Sequence, residues 1–173
     1  MERFEPDAER LLYLLSLYTS DDEDRWIKSY ALWVLVFHGI VSDVFETYDY
    51  APTVVMWHGA FRVANISMEA ERDILRLRNA GLVEKLRLAT SKYRYITAYR
   101  VSRNGIKYLE RVPESVKEPI DRVFRPGGRL VEVVIGKDYR PLLKMPDGRL
   151  VDLGFLVAED VAYKSEAYYL RLE

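Results

Sequence analysis

Apolar residues near the start of the chain recur at close to helical spacing, which predicts a first helix over residues 7–18. The acidic run at residues 20–24 interrupts this pattern and suits the start of a next helix, because carboxylates stabilise a helix N-terminus. A second helix is therefore predicted over residues 23–38. Its aromatic and apolar side chains would lie either in the core or at a dimer interface, and they are Trp26, Tyr30, Trp33, Val34 and Phe37.

The middle of the chain is predicted to hold two more helices. Residues 53–64 are mostly apolar and are interpreted as a short helix, with a turn at residues 65–67. The Ser67 hydroxyl can cap the helix that follows, over residues 68–80. In that helix Ala70, Ile74 and Leu77 share one face, so this face is expected to pack inward.

A hairpin is predicted next. Residues 83–88 and 93–101 are rich in β-branched residues and tyrosine and are interpreted as strands that flank a turn at residues 90–92. Ser102 is expected to cap one more helix, in which Ile106 and Leu109 face inward.

Prolines and glycines between residues 113 and 128 predict a linker. Beyond it the pattern is typical of short strands, predicted over residues 130–135, 140–145, 150–157 and 162–172. Pro146, Asp147 and Gly148 are strong turn formers between two of them. The predicted division is residues 1–112, the linker 113–128 and a small antiparallel β domain over residues 129–173.

Three stretches in the middle of the chain resemble the winged helix-turn-helix domains of MarR- and PadR-type transcriptional regulators. They are residues 61–67 (FRVANIS), 73–84 (DILRLRNAGLVE) and 99–109 (YRVSRNGIKYL). The resemblance covers about residues 53–112. It implies an α+β fold in which this domain follows an N-terminal helical extension and precedes the small β domain.

The composition of the chain excludes several classes of function. The chain has 173 residues, of which 49% are apolar and 31% are charged, and this is ordinary for a folded globular protein. It has no cysteine, which excludes a disulfide framework, thiolate catalysis and cysteine-ligated zinc. The longest apolar stretch, residues 31–41, is too short to span a membrane, and the first residues lack the order of a signal peptide. We therefore expect a cytoplasmic protein that does not bind membranes.

Charge is distributed unevenly along the chain. The formal net charge is −1, which alone argues against a nucleic-acid partner. Residues 1–52 hold 4 basic and 11 acidic residues, a net of −7, whereas residues 53–111 hold 12 basic and 5 acidic residues, a net of +7. A basic segment of this kind favours an anionic partner.

The predicted recognition helix and wing carry side chains suited to DNA. Helical rotation places Arg72, Arg76 and Asn79 opposite the inward face, and Arg and Asn can pair bidentately with guanine and adenine. Glu69 shares that face and would be repelled by phosphates, so a solvated charged face is the alternative interpretation. The predicted wing offers Lys85, Arg87, Lys92, Tyr93 and Arg94 to phosphate oxygens, together with Ser67 at the start of the helix.

Enzymatic interpretations find little support in the sequence. The two histidines, His38 and His58, stand in apolar surroundings typical of core residues. The glycine pair after Pro126 precedes a predicted strand and lacks the lysine of a phosphate-binding loop. We expect no catalytic residue, no metal and no cofactor.

The sequence thus predicts a DNA-binding transcriptional regulator that binds double-stranded DNA and could form a homodimer through its N-terminal helices. One alternative is a winged helix that docks a protein within a larger complex. The acidic residues early in the predicted recognition helix favour that alternative. The other is a sensor whose C-terminal β domain binds a small molecule.

Overall fold

The computed structural model describes residues 3–21, 24–89, 91 and 96–157. Over these residues the chain has a mixed α+β fold with five helices and three small antiparallel sheets. The helices are α1 (Pro6–Thr19), α2 (Ser29–Val41), α3 (Met68–Asn79), α4 (Arg103–Leu109) and α5 (Glu114–Phe124). The strands are β1 (Ile27–Lys28), β2 (Ala51–Trp57), β3 (Ala60–Ile66), β4 (Val83–Leu88), β5 (Ile96–Val101), β6 (Glu132–Ile135), β7 (Pro141–Lys144) and β8 (Leu150–Asp152).

The three sheets have simple antiparallel orders. The first is β1-β5-β4, in which β4 and β5 form a hairpin that pairs Lys85 with Tyr99, and β1 adds to β5 by pairing Ile27 with Tyr99. The second is the β2–β3 hairpin, and the third is β6-β7-β8. Residues 155–157 run antiparallel beside β3, where the Val157 N–H donates to the Val63 carbonyl at 2.8 Å.

Helix α1 is the centre of the packing. It contacts α3, α4, α5 and β5, so several of its faces are covered at once. Four of its five leucines are fully buried, each with 0% exposure, and they are Leu11, Leu12, Leu14 and Leu15. A helix that is enclosed in this way must satisfy its charged residues inside the protein.

The charged N-terminal turn of α1 meets this demand through Asp7, which is only 4% exposed. One carboxylate oxygen accepts hydrogen bonds from the Arg10 guanidinium at 2.9 Å and from the Glu46 N–H at 3.1 Å. The other accepts from the N–H and the hydroxyl of Thr47, each at 2.6 Å. These bonds tie the start of α1 to the segment that follows α2.

The predictions for α1, α3 and the β4–β5 hairpin are confirmed within a few residues. Ser67 and Ser102 act as caps, with each hydroxyl accepting a hydrogen bond from an N–H three residues later. The turn at Asp147 is confirmed as well, because Gly148 has a φ of +87° and closes the β7–β8 connection. The predicted strand over residues 162–172 and the wing turn residues Thr90 and Lys92 lie outside the described residues.

The helix predicted over residues 53–64 is wrong, because this segment is the β2–β3 hairpin. A two-residue turn joins the strands, with positive φ values of 47° at His58 and 85° at Gly59, as a type I′ hairpin requires. Val54, Met56 and Phe61 are apolar although they face outward. This removes the polar–apolar alternation by which a half-buried strand is recognised.

Three smaller predictions also differ from the structure. The second helix begins at Ser29 and not near residue 23, because Ile27 is held in a strand by its pairing with Tyr99. Ile106 is 41% exposed and does not face inward. The predicted linker over residues 113–128 contains α5, which packs on α1 and fully buries Ile120 and Phe124.

In the part of the chain that is described, no helix has both the length and the apolar character that crossing a membrane requires.

Replacing Asp7 by Asn tests the network at the start of α1. An amide nitrogen cannot accept the two hydrogen bonds that Thr47 donates, so the buried side chain at position 7 loses both bonds. We expect the free energy of unfolding to fall by about 2–4 kcal/mol, measured by urea denaturation followed by circular dichroism. Glu110→Gln, at an exposed position, removes the same charge and should change stability by less than about 0.5 kcal/mol. Equal stability of the two variants would contradict the network.

Candidate nucleic-acid interface

Helix α3 is the element on which the candidate interface is built. Its sequence is amphipathic, and its buried residues, Ala70, Asp73, Ile74 and Leu77, form the inward face. Ser67 caps the helix by accepting from the Ala70 N–H at 3.2 Å and is only 6% exposed. Ser67 therefore shapes the start of the helix, and its side chain is not presented at the surface as predicted.

Two of the acidic residues of α3 are bound inside the protein. Asp73 is buried and accepts a hydrogen bond from the Tyr48 hydroxyl at 2.6 Å. Burial and this bond to Asp73 raise the pKa of Tyr48. Glu71 accepts from the Trp33 indole N–H at 2.6 Å, and burial raises the pKa of its carboxyl. These carboxylates fix α3 to the chain that precedes it and do not form an acidic patch on its outer face.

Arg76, which was predicted to contact bases, is instead bound by carboxylates of the protein at the flank of α3. Its guanidinium lies 3.1 Å from the Asp73 carboxylate, 3.7 Å from that of Glu5 and 5.4 Å from the centre of the Phe4 ring. Position 76 faces the start of α1, because it stands beside the inward face and not opposite to it. Its side chain therefore acts within the protein.

The outer stripe of α3 consists of Met68, Arg72, Leu75 and Asn79, which recur at helical spacing and are all exposed. Met68 and Leu75 are 58% and 51% exposed, which is high for apolar side chains on a helix. The stripe thus combines two polar groups that can bond to base edges with two apolar groups that can contact a thymine methyl.

Three cations lie together between α3 and β4, and we call Arg78, Lys85 and Arg87 the basic cluster. Burial, together with the positive charges of Arg87 and Arg78, lowers the pKa of Lys85, and the Glu71 carboxylate opposes this shift. The same two arginines lower the pKa of Tyr99, the cross-strand partner of Lys85, against a larger rise caused by burial. Like charges held this close raise the local positive potential.

The structure thus brings together some of the predicted residues and leaves others aside. Lys85 and Arg87 join the basic cluster, and Arg72 and Asn79 lie on the outer stripe. Lys92, Tyr93 and Arg94 lie outside the described residues. Arg78 was not among the predicted residues. The available signal was its seven-residue spacing from Glu71, which places both on the flank of α3 that faces β4.

The two histidines occupy aromatic surroundings. His38 packs its ring edge-on to Phe124 with 5.5 Å between ring centres, and burial lowers its pKa. His58 stands at the tip of the β2–β3 hairpin and stacks on Tyr139 at 5.3 Å. Within the described ranges, no three His, Asp or Glu side chains are grouped as a metal site would require.

Comparison with known proteins yields one match. No curated protein and no solved structure matches the chain. A family model covers residues 7–152, which include every described helix and strand except part of the first turn of α1. The chain therefore belongs to the uncharacterized protein MJ1567 family.

Proposed function

We propose that this protein is a DNA-binding transcriptional regulator whose binding unit is a winged helix made of α1, β1, α2, α3, β4 and β5. Three helices followed by a two-stranded wing is the order of that domain, and the resemblance to MarR- and PadR-type regulators supports it. The unit begins at Pro6 and not near residue 53, because α1 and α2 take the places of its first two helices. The β2–β3 hairpin stands where a short turn would join α2 to α3.

The observation that carries the proposal is the placement of charge around α3. The basic cluster lies on the wing side of the helix, whereas Asp73 and Glu71 are bound inside the protein. Two of the acidic residues that favoured a protein-docking role in the sequence are thus bound by groups of the protein, and Glu69, half-buried in the first turn of α3, is the carboxylate that stays beside the outer stripe. Positive charge beside a helix face that carries Arg72 and Asn79 is the combination that DNA recognition uses.

The proposed contacts fall into two groups. The outer stripe of α3 enters the major groove, where Arg72 and Asn79 read base edges. Arg78 and Arg87 contact phosphates, together with Lys92 and Arg94 of the predicted wing. Phosphate contacts supply affinity without sequence preference, whereas base contacts supply specificity. The two groups can therefore be tested separately.

A second function, protein docking, is favoured by the β2–β3 hairpin. Its outward face carries apolar residues with high exposure, Val54 at 58%, Met56 at 57% and Phe61 at 74%. Exposed apolar patches of this kind mark interaction sites. The remaining residues of the face, Pro52, Val63 and Asn65, are also uncharged.

A second copy of this chain is the partner that we propose for this hairpin face. A two-fold contact brings the same patch together with itself, and an uncharged patch meets no repulsion there. A homodimer through the N-terminal helices stays a prediction. However, α1 and α2 bury their leucines within the chain, which leaves the hairpin face as the more apolar surface. A dimer would place two α3 helices for half-sites about one turn of DNA apart.

Replacing Arg78 and Arg87 together by Ala tests the phosphate contacts. We expect weaker binding to every DNA sequence and a log-log salt slope that is shallower by about 2, because two phosphate contacts are lost. Fluorescence anisotropy with labelled random duplex DNA over a series of salt concentrations measures both. Arg111→Ala with Arg122→Ala removes the same charge from exposed positions on other elements and should leave the slope unchanged. Failure of the wild type to bind at micromolar protein would refute the proposed function.

Single Ala variants of Arg72 and Asn79 test the base contacts. Each should cost about 1–3 kcal/mol on a duplex selected by the wild type from a random pool and much less on random duplex. Arg76→Ala is the matched control, because its guanidinium is bound to Asp73 and Glu5, and it should keep the sequence preference. Loss of preference in Arg76→Ala alone would contradict this assignment.

Phe61→Asp combined with Met56→Asp tests the hairpin face. Two carboxylates placed on a self-paired patch repel their copies, so the protein should shift from dimer to monomer in light scattering coupled to size exclusion. Leu150→Asp, at another exposed apolar position (55% exposed), should leave the mass unchanged. A wild-type protein that is monomeric at high concentration rules out the homodimer.

A further inference from the structure

A cavity of about 520 Å³ lies between the tip of the β2–β3 hairpin, the start of α2 and the face of β4–β5 that carries Lys85. Small-molecule sites commonly enclose about 300–1,000 Å³, so the volume suits a small ligand. The cavity exists because the hairpin closes over the sheet, with Trp57 fixed by a 2.6 Å hydrogen bond from its indole N–H to the Tyr139 carbonyl.

Aromatic side chains form much of the cavity wall. Trp33, Trp57, Tyr30 and Tyr99 all line it. Both indole N–H groups are engaged elsewhere, that of Trp33 by Glu71 and that of Trp57 by Tyr139, each at 2.6 Å. The half-buried rings of Tyr30, Trp33 and Tyr99 therefore offer surface to a ligand, whereas the buried indole of Trp57 supports the wall from behind, and neither indole offers a donor. Ring surface favours a planar aromatic ligand, which gains from edge-to-face or offset stacking.

His58 is a further titratable residue of the cavity wall. Its Nε2 is buried and closed off from the cavity, so this atom offers no hydrogen bond to a ligand. Burial and the nearby charge of Lys28 lower the pKa of His58, which keeps the ring neutral at neutral pH. The backbone of His58 is in the left-handed region, with a φ of +47°.

The charged groups of the cavity have one sign. Lys28 and Lys85 line it, and no carboxylate does so among the described residues. Lys28 is the last residue of β1, directly before α2, and its ammonium lies 5.8 Å from the centre of the Tyr30 ring. Lys85 comes from β4, so the two ammonium groups reach the cavity from different elements. Two cations beside an aromatic wall favour an anion attached to a ring.

We propose that this cavity binds an aromatic carboxylate, with the carboxylate bound by Lys28 and Lys85 and the ring packed against the half-buried rings of Trp33 and Tyr99. The proposal does not depend on DNA binding, because none of the side chains proposed to contact bases or phosphates lines the cavity.

The first experiment titrates the full chain with 2-naphthoate, indole-3-carboxylate and benzoate, and with 2-naphthamide as the uncharged match of the first. At least one carboxylate should bind, and 2-naphthoate should bind at least about tenfold more tightly than its amide, since a hydrogen bond to a charged group is worth about 1.5–3 kcal/mol. Isothermal titration calorimetry gives the affinities without use of activity.

The location is read from the three tryptophans. Trp33 and Trp57 line the cavity, whereas Trp26 lines a different one. In a ¹H–¹⁵N spectrum the indole signals of Trp33 and Trp57 should shift on titration with 2-naphthoate, and that of Trp26 should not. Trp26→Phe, which leaves the cavity intact, identifies the Trp26 signal, and the two that remain belong to Trp33 and Trp57.

The double variant Lys28→Gln with Lys85→Gln should lose the preference for carboxylate over amide. The control is Lys107→Gln with Lys117→Gln, which removes the same charge away from the cavity and should keep the preference. Lys85→Gln alone serves if the double lysine variant does not fold, and it should reduce the preference for 2-naphthoate over its amide severalfold. The proposal is overturned if none of the three carboxylates binds at millimolar concentration. It is also overturned if acid and amide bind alike, or if only the Trp26 signal shifts.

Discussion

The enclosure of α1 is the constraint on which the rest of the fold depends. Its leucines are removed from solvent on several sides, which supplies much of the apolar burial in the chain and forces α3, α4, α5 and β5 into fixed positions around it. The same enclosure makes Asp7 and Arg10 buried ions, and such ions are tolerated only when each polar atom has a partner. The chain after α2 meets this need through Thr47. The bond between Thr47 and Asp7 therefore fixes the position of the chain a few residues before the β2–β3 hairpin begins.

The packing of α3 shows how a structural need shapes the candidate interface. Asp73 is required inside, where Tyr48 donates to it, and Glu71 is required against Trp33. Both carboxylates are thereby withdrawn from the outer stripe, while the arginines at positions 72 and 78 have no such role and remain at the surface. A helix with balanced charge in the sequence therefore presents mainly positive charge on the sides that face away from α1 and α2.

The sequence predicts the elements whose pattern is local. α3 was predictable because Ser67, the apolar positions at Ala70 and Leu77 and the final glycine agree with one another. Residues 53–64 were not, because the outward Met56 and Phe61 are apolar and hide the strand period. The role of Arg76 was also hidden from the sequence, since it depends on Glu5, a residue that only the fold brings near. Elements are thus readable from local chemistry, whereas the inward or outward use of a charged side chain depends on tertiary neighbours.

Lys85 belongs both to the basic cluster and to the lining of the cavity. It stands in the basic cluster, where Arg78 and Arg87 lower its pKa, and it also lines the aromatic cavity. A carboxylate bound in the cavity would compensate the charge of Lys85 and so reduce the positive potential that the cluster offers to phosphates. Since coupling between two ligands is reciprocal, DNA on the cluster would weaken the ligand by the same factor. The hairpin inserted between α2 and α3 is what creates this connection, because its tip closes the cavity over the strand that carries Lys85.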